Sequence, residues 1–145
     1  LSELAPPIAS APVSEGAALI DERLLRIGQD GDVRLVCGRC ASCGAESFPQ
    51  AAVCASCLSQ DIEPFELAGP GTLYAYSIVH QAPRHWDVPY AVGYVDFPGG
   101  LRVFGHIAGP FEKLSIGKTV ELKLGKLGAR PDGTPLSSYV FAVKE

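Results

Sequence analysis

Several things are missing from this sequence, and each absence narrows what the chain does. There is no apolar run of the length needed to cross a bilayer, and no basic segment followed by a secretory hydrophobic core at the N-terminal end. The expectation is a chain without membrane insertion, and a reducing cytoplasm is the simplest setting for its thiols. Charge is also sparse, at 19% of residues, while 47% are hydrophobic. A real core is therefore expected, on a surface whose low charge favours a partner. A strong basic face is lacking too. Residues 1–68 hold ten acidic and four basic side chains, residues 69–110 two of each, and residues 111–145 four acidic and six basic. That distribution argues against general nucleic-acid binding, yet allows a local basic site for phosphate.

What is present is a pair of short cysteine motifs, Cys40-x-x-Cys43 and Cys54-x-x-Cys57, ten residues apart. Four thiolates at this spacing match a structural zinc ribbon, because each CxxC turn lets two sulfurs converge on one tetrahedral ion. A site closed by four sulfurs leaves no position for substrate. No histidine falls where a DNA-reading finger would need one. The fifth cysteine, Cys37, could compete as a ligand through Cys37-x-x-Cys40, but Gly44 after Cys43 suits the positive φ of a metal knuckle and favours the later register. Cys37 then reads as a buried apolar residue, with a nucleophile as the competing reading.

Residues 1–16, with Pro6, Pro7 and Pro12, read as an irregular arm. Ile20, Leu24 and Ile27 recur at spacings of four and three, which predicts a helix and turn over 17–32, with Ser14 as a cap. Residues 33–68 read as the ribbon and linker, with strands at Val33–Arg39 and Glu46–Phe48 and an extended transition at 60–68. From 69 to 145 the pattern is β-rich. Strands are predicted at Thr72–His80, Tyr90–Asp96, Leu101–Ile107, Val120–Leu124 and Ser137–Val143, with a reversal at Pro98-Gly99-Gly100. The expected fold is mainly β: an N-terminal helix, a rubredoxin-like ribbon and a five-stranded OB barrel.

Two connections, 80–89 and 125–135, then border the usual ligand face of an OB barrel. They make Arg84, Trp86, Lys126 and Arg130 candidate contacts. The plainer alternative is that Trp86 and Tyr90 plug the barrel while Lys126 and Arg130 are solvating charges. Phe104 and Tyr94 are expected in the core.

With Cys40-Ala-Ser-Cys43-Gly44, Phe48-Pro49 and Cys54-Ala-Ser-Cys57 in view, the chain resembles the zinc-ribbon plus OB-fold family of acyl-CoA-associated proteins. The likeness continues through Gly69-Pro-Gly-Thr72, Pro89-Tyr90-Ala-Val-Gly-Tyr94, Gly105-His106-Ile107 and Ile116-Gly117-Lys118-Thr-Val120, covering roughly residues 18–143. It departs at Gln50, where an arginine is common in that family, and at Ala51-Ala52.

The resemblance implies zinc on Cys40, Cys43, Cys54 and Cys57, and partnership with thiolase-like enzymes or with acyl-CoA hydratases and aldolases. No catalytic set carries over. The implied function is a non-catalytic accessory subunit of a thiolase-like transferase complex, a hetero-oligomer in which CoA or acyl-CoA meets Arg84, Trp86, Lys126 and Arg130 at a shared interface. Two alternatives stand beside it. One is a stand-alone acyl-CoA-binding or thioester-processing protein using Cys37 with His80, His85 or His106. The other is a single-stranded nucleic-acid binder, disfavoured by the acidic N-terminal half.

Overall fold

A computed structural model describes residues 18–19, 21, 23–28 and 31–144. Its elements are strands β1 (Ala18–Leu19), β2 (Leu25–Ile27), β3 (Val33–Cys40), β4 (Glu46–Ser47), β5 (Ile62–Leu67), β6 (Gly71–Val79), β7 (Tyr90–Asp96) and β8 (Arg102–Ala108). A 3-10 turn (Phe111–Lys113), β9 (Thr119–Ala129) and β10 (Pro135–Val143) complete the chain. No helix among the described residues is long and apolar enough to cross a membrane.

Strands β6 to β10 close into a barrel. β6, β7 and β8 form an antiparallel meander, β8 lies parallel to β10, and β9 pairs antiparallel with both β10 and the start of β6. Alternation explains the closure: Leu73, Val95, Val103, Val120 and Phe141 point inward and are buried, while their neighbours face out. The Phe97–Leu101 reversal uses Gly99 and Gly100 at φ 96° and 90°, as a tight turn requires. Beside β10, β1 adds a parallel step of two residues, Ala18 against Leu136 and Leu19 against Ser137.

The second sheet builds the ribbon. β3 pairs antiparallel with β2, β4 and β5, so the stretch expected as a transition at 60–68 is a true strand, with Cys37 opposite Phe65 and Cys40 opposite Ile62. Leu25, Val33, Leu35 and Cys37 from this sheet belong to the same buried cluster as the barrel interior. Ribbon and barrel share one core.

The predicted N-terminal helix is not formed by the described residues of 17–32, which instead supply β1 and β2. The arm 1–16, the Ser14 cap and Ile20 lie outside the described residues. Eleven residues bounded by Gly16 and Gly28 make a marginal helix alone, whereas pairing with β3 gives the backbone a ladder and buries Leu25. The sequence stripe placed Ile27 on the buried side; it is half exposed.

The barrel strands fall close to their predicted positions, except that β9 runs to Ala129 rather than ending at Leu124. Its glycines read as loop, but Gly128 sits where a Cβ would overlap the carbonyl oxygen of His85, so the bare backbone lets the 80–89 loop approach. Most of 125–135 is therefore hairpin, and Lys126 is a strand residue.

Candidate metal centre and barrel-loop face

The two cysteine turns are built alike. β3 delivers Cys40, whose N–H donates to the Ala45 carbonyl (2.9 Å), and the Gly44 N–H donates back to the Cys40 carbonyl (2.8 Å). In the second turn the Cys54 N–H donates to Ser59 (2.8 Å) and the Leu58 N–H to Cys54 (2.9 Å). Both turns need a left-handed residue after the second cysteine: Gly44 at φ 81° in one and Leu58 at φ 65° in the other. Leu58 is 76% exposed, so its side chain contributes little packing against that strain.

The turns face each other, and all four sulfurs lie within 4.8 Å of one another. Cys40 Sγ is 3.5 Å from Cys57 Sγ, and Cys43 Sγ is 3.5 Å from Cys54 Sγ. A zinc–sulfur tetrahedron with bonds of about 2.3 Å has edges of about 3.8 Å, so the cluster fits zinc with little adjustment. Backbone donors favour a thiolate at all four sulfurs, although at Cys43 and Cys57 the neighbouring thiols outweigh them and hold the thiol up. The N–H groups of Cys43 and Ser42 bring the Cys40 thiol down to about 6, and those of Cys57 and Ser56 lower Cys54. The Ser56 N–H lies 3.4 Å from Cys54 Sγ. The four cysteines are positioned for zinc binding.

Cys37 stands apart. It is fully buried in β3, and burial pushes its thiol up to about 11. His80 and His85 are exposed on the 80–89 loop, while His106 belongs to an aromatic stack on the outer side of the barrel. Cys37 lies in the main core, with no titratable partner among the hydrogen bonds its thiol makes.

The four candidate contacts divide between anchored and exposed positions. Trp86 bridges to Gly128, and the Ala129 N–H donates to the His85 carbonyl (2.8 Å), so the loop is stitched to β9. Its indole stacks on the His106 imidazole, with Tyr90 on the same imidazole at 4.6 Å. This group covers a second small core of Ala108, Leu127 and Val140. Trp86 and Tyr90 thus cap the outside of the barrel and do not plug its interior. Lys126 on β9 pairs with Asp87 of the loop at 3.2 Å. Arg84 is exposed on the loop, and Arg130 is exposed at the hairpin end, where the Gly133 N–H donates to its carbonyl. The fold thus joins the Trp86 loop to the strand that carries Lys126.

Sequence reasoning missed the outer face of the meander. Tyr94 and Phe104, expected in the core, are 46% and 50% exposed and meet edge to face at 5.2 Å. From sequence His106 reads only as a candidate base; its place in the aromatic stack is not foreseen, nor that its Nε2 is buried without a hydrogen-bond partner and its imidazole held down to about 4 by burial.

Comparison with known proteins bears on both modules. A profile described as "ChsH2, rubredoxin-like zinc ribbon domain" matches residues 30–63, and one described as "ChsH2, C-terminal OB-fold domain" matches residues 65–124. The benzoylsuccinyl-CoA thiolase subunit BbsA of Thauera aromatica is 34% identical over 119 residues, covering 81% of this chain and 83% of that one. A DUF35 domain-containing scaffold protein of Methanocaldococcus jannaschii is 34% identical over 87 residues, covering 57% and 62%. Among solved structures, an Ltp2-ChsH2(DUF35) aldolase chain superposes with a TM-score of 0.61 at 34% identity, covering 76% of this chain and 84% of that one.

Proposed function

Because the chain belongs to the ChsH2 family, which joins a rubredoxin-like zinc ribbon to an OB-fold domain, we propose that it is a non-catalytic accessory subunit of a thiolase-like acyl-CoA enzyme complex. The observation that carries this reading is likeness to a named thiolase subunit across 83% of that subunit's length. Burial of the one cysteine outside the metal cluster points the same way. A buried thiol raised to about 11 is a poor nucleophile at neutral pH, so the reacting groups belong to the partner.

In this reading zinc on Cys40, Cys43, Cys54 and Cys57 holds the ribbon, and the thiols stay reduced in the cytoplasm. CoA or its acyl derivative meets Arg84, Trp86, Lys126 and Arg130 at the interface, where guanidinium and ammonium groups suit phosphate and the indole edge suits the apolar portion. Co-purification with a thiolase-like protein tests the assignment. A stable complex with raised acyl-CoA turnover is expected; independent migration and unchanged kinetics overturn it.

A further inference from the structure

The outer face of β6, β7 and β8 is unusual for an exposed sheet. Tyr74, Tyr94 and Phe104 are 49%, 46% and 50% exposed. Tyr94 and Phe104 are register partners whose rings touch, and Asp96 and Arg102 are the next outward pair along the same two strands. Tyr74 sits at the bulge between Leu73 and Ala75, exposed in step with Thr72, and the Arg102 guanidinium lies 3.5 Å from its ring centroid. Arg102 thus links the Tyr74 ring to the Tyr94–Phe104 pair along one face.

Charge on this face is already spent internally. The strands β6, β7 and β8 hold only two charged side chains, Asp96 and Arg102, and these bind each other through two bonds of 2.6 and 3.1 Å. A nucleic acid would meet no uncompensated cation here. The complement of this face is an uncharged, apolar protein surface, and aromatic rings with a held arginine are the composition of interface centres.

Area counts against a second copy held through these rings alone. Half-exposed rings of this size offer ~100 Å² each, on the order of 300 Å² together. Two copies meeting through the face alone would bury on the order of 600 Å², against roughly 1,200 Å² or more for a stable specific pair. We infer that Tyr74, Tyr94 and Phe104 form the apolar centre of the surface that docks the catalytic subunit, whose larger footprint extends past the Asp96–Arg102 rim. This rests on the accessory-subunit reading and places the centre of its interface on the sheet face, with the loop residues proposed for CoA at its edge, where Trp86 stacks on His106 two residues from Phe104.

The test uses the tagged full chain, purified from its native cells with bound proteins identified by mass spectrometry. Wild type and Ile116→Glu, which places the same charge at an exposed apolar site elsewhere, should recover equal amounts of a thiolase-like subunit. Phe104→Glu and Tyr94→Ser should recover at least tenfold less while keeping one zinc per chain and the wild-type melting curve. Tyr94→Ser adds no charge and decides the matter if Phe104→Glu fails to fold. Folded face variants that recover as much subunit as wild type overturn the inference and leave the accessory-subunit reading standing. Equal loss in Ile116→Glu overturns it as well, as does a wild-type homodimer that Tyr94→Ser dissolves. If wild type itself recovers no thiolase-like subunit, the accessory reading falls and takes this inference with it.

Discussion

The indole of Trp86 lies 5.9 Å from the imidazole of His106 and within 3° of parallel, fastening the 80–89 loop to the outside of the barrel. The loop is otherwise held by backbone bonds to β9 at Leu127 and Ala129 and by the exposed Lys126–Asp87 pair. The stack is therefore the main apolar anchor of a loop that carries Arg84. Trp86→Ala should cost about 2 kcal/mol in urea unfolding, below the 3–5 kcal/mol of a fully buried tryptophan because this ring is only partly buried. Native-state trypsin cleavage after Arg84 should speed up several-fold. Unchanged cleavage would mean that the backbone stitching alone holds the loop.

His106 gives the fold a calculable response to acid. Burial lowers its imidazole from about 6.5 to about 4, so the folded chain binds fewer protons there than the unfolded chain between those values. Its contribution is fully present above pH 6.5, falls as pH drops towards 4, and levels off below that. The full shift corresponds to roughly 3 kcal/mol. Urea midpoints measured from pH 7 to pH 4 should fall more steeply for wild type than for His106→Phe, which lacks the titrating group. Parallel slopes would place the proton elsewhere.

The metal turns and the barrel were legible because both rest on short-range chemistry. Two CxxC motifs announce a sulfur cluster, and runs such as Tyr90–Asp96 and Arg102–Ala108 alternate with the period of a strand. The N-terminal strands were not legible. Ala18–Leu19 and Leu25–Ile27 are too short to show a period, and they are strands only because β10 and β3 lie beside them. The aromatic face was misread for a different reason. Ring size suggested burial for Tyr94 and Phe104, yet Asp96 and Arg102 share their phase two residues away, and a charged pair at that phase marks the outward side. The Trp86–His106 stack had no local signal, since it joins a loop to a strand twenty residues on.

Zinc removal should weaken more than the ribbon. Leu35 and Cys37, a few residues before the first metal turn, are packed in the same cluster as Phe141 and Val120 of the barrel. Chelation, or Cys43→Ser, should lower the zinc content and shift a single cooperative melting transition downward, because binding energy at a structural site is folding energy. A barrel transition that stays in place while the zinc is lost would show that the two modules fold independently.

Cys37 separates packing from chemistry. Fully buried and pushed up to about 11, its thiol should resist alkylation in the zinc-loaded native protein and react only on unfolding. Cys37→Ala should cost about 1 kcal/mol for the lost sulfur packing, and should leave zinc stoichiometry and any activity of the complex unchanged. Rapid native alkylation at Cys37, or loss of turnover in a folded Cys37→Ala variant, would restore the nucleophile reading.

Gly128 offers the sharpest test of how the loop meets the barrel. A Cβ there would overlap the His85 carbonyl oxygen and lie 3.0 Å from the Trp86 Cα, both of them backbone atoms that a rotamer change cannot move. Gly128→Ala must therefore push the loop away and break the Ala129 N–H to His85 bond. The expected cost is about 1–3 kcal/mol, the range for overpacking a close contact. Amide exchange at Ala129 and Asp87 should rise together, because Asp87 donates to Leu127 across the same seam. Zinc content should stay at the wild-type level, since the cysteine turns belong to the other sheet. Unchanged stability and unchanged exchange in Gly128→Ala would show that the loop does not sit against β9 in solution, and the anchoring argued for Trp86 would fall with it.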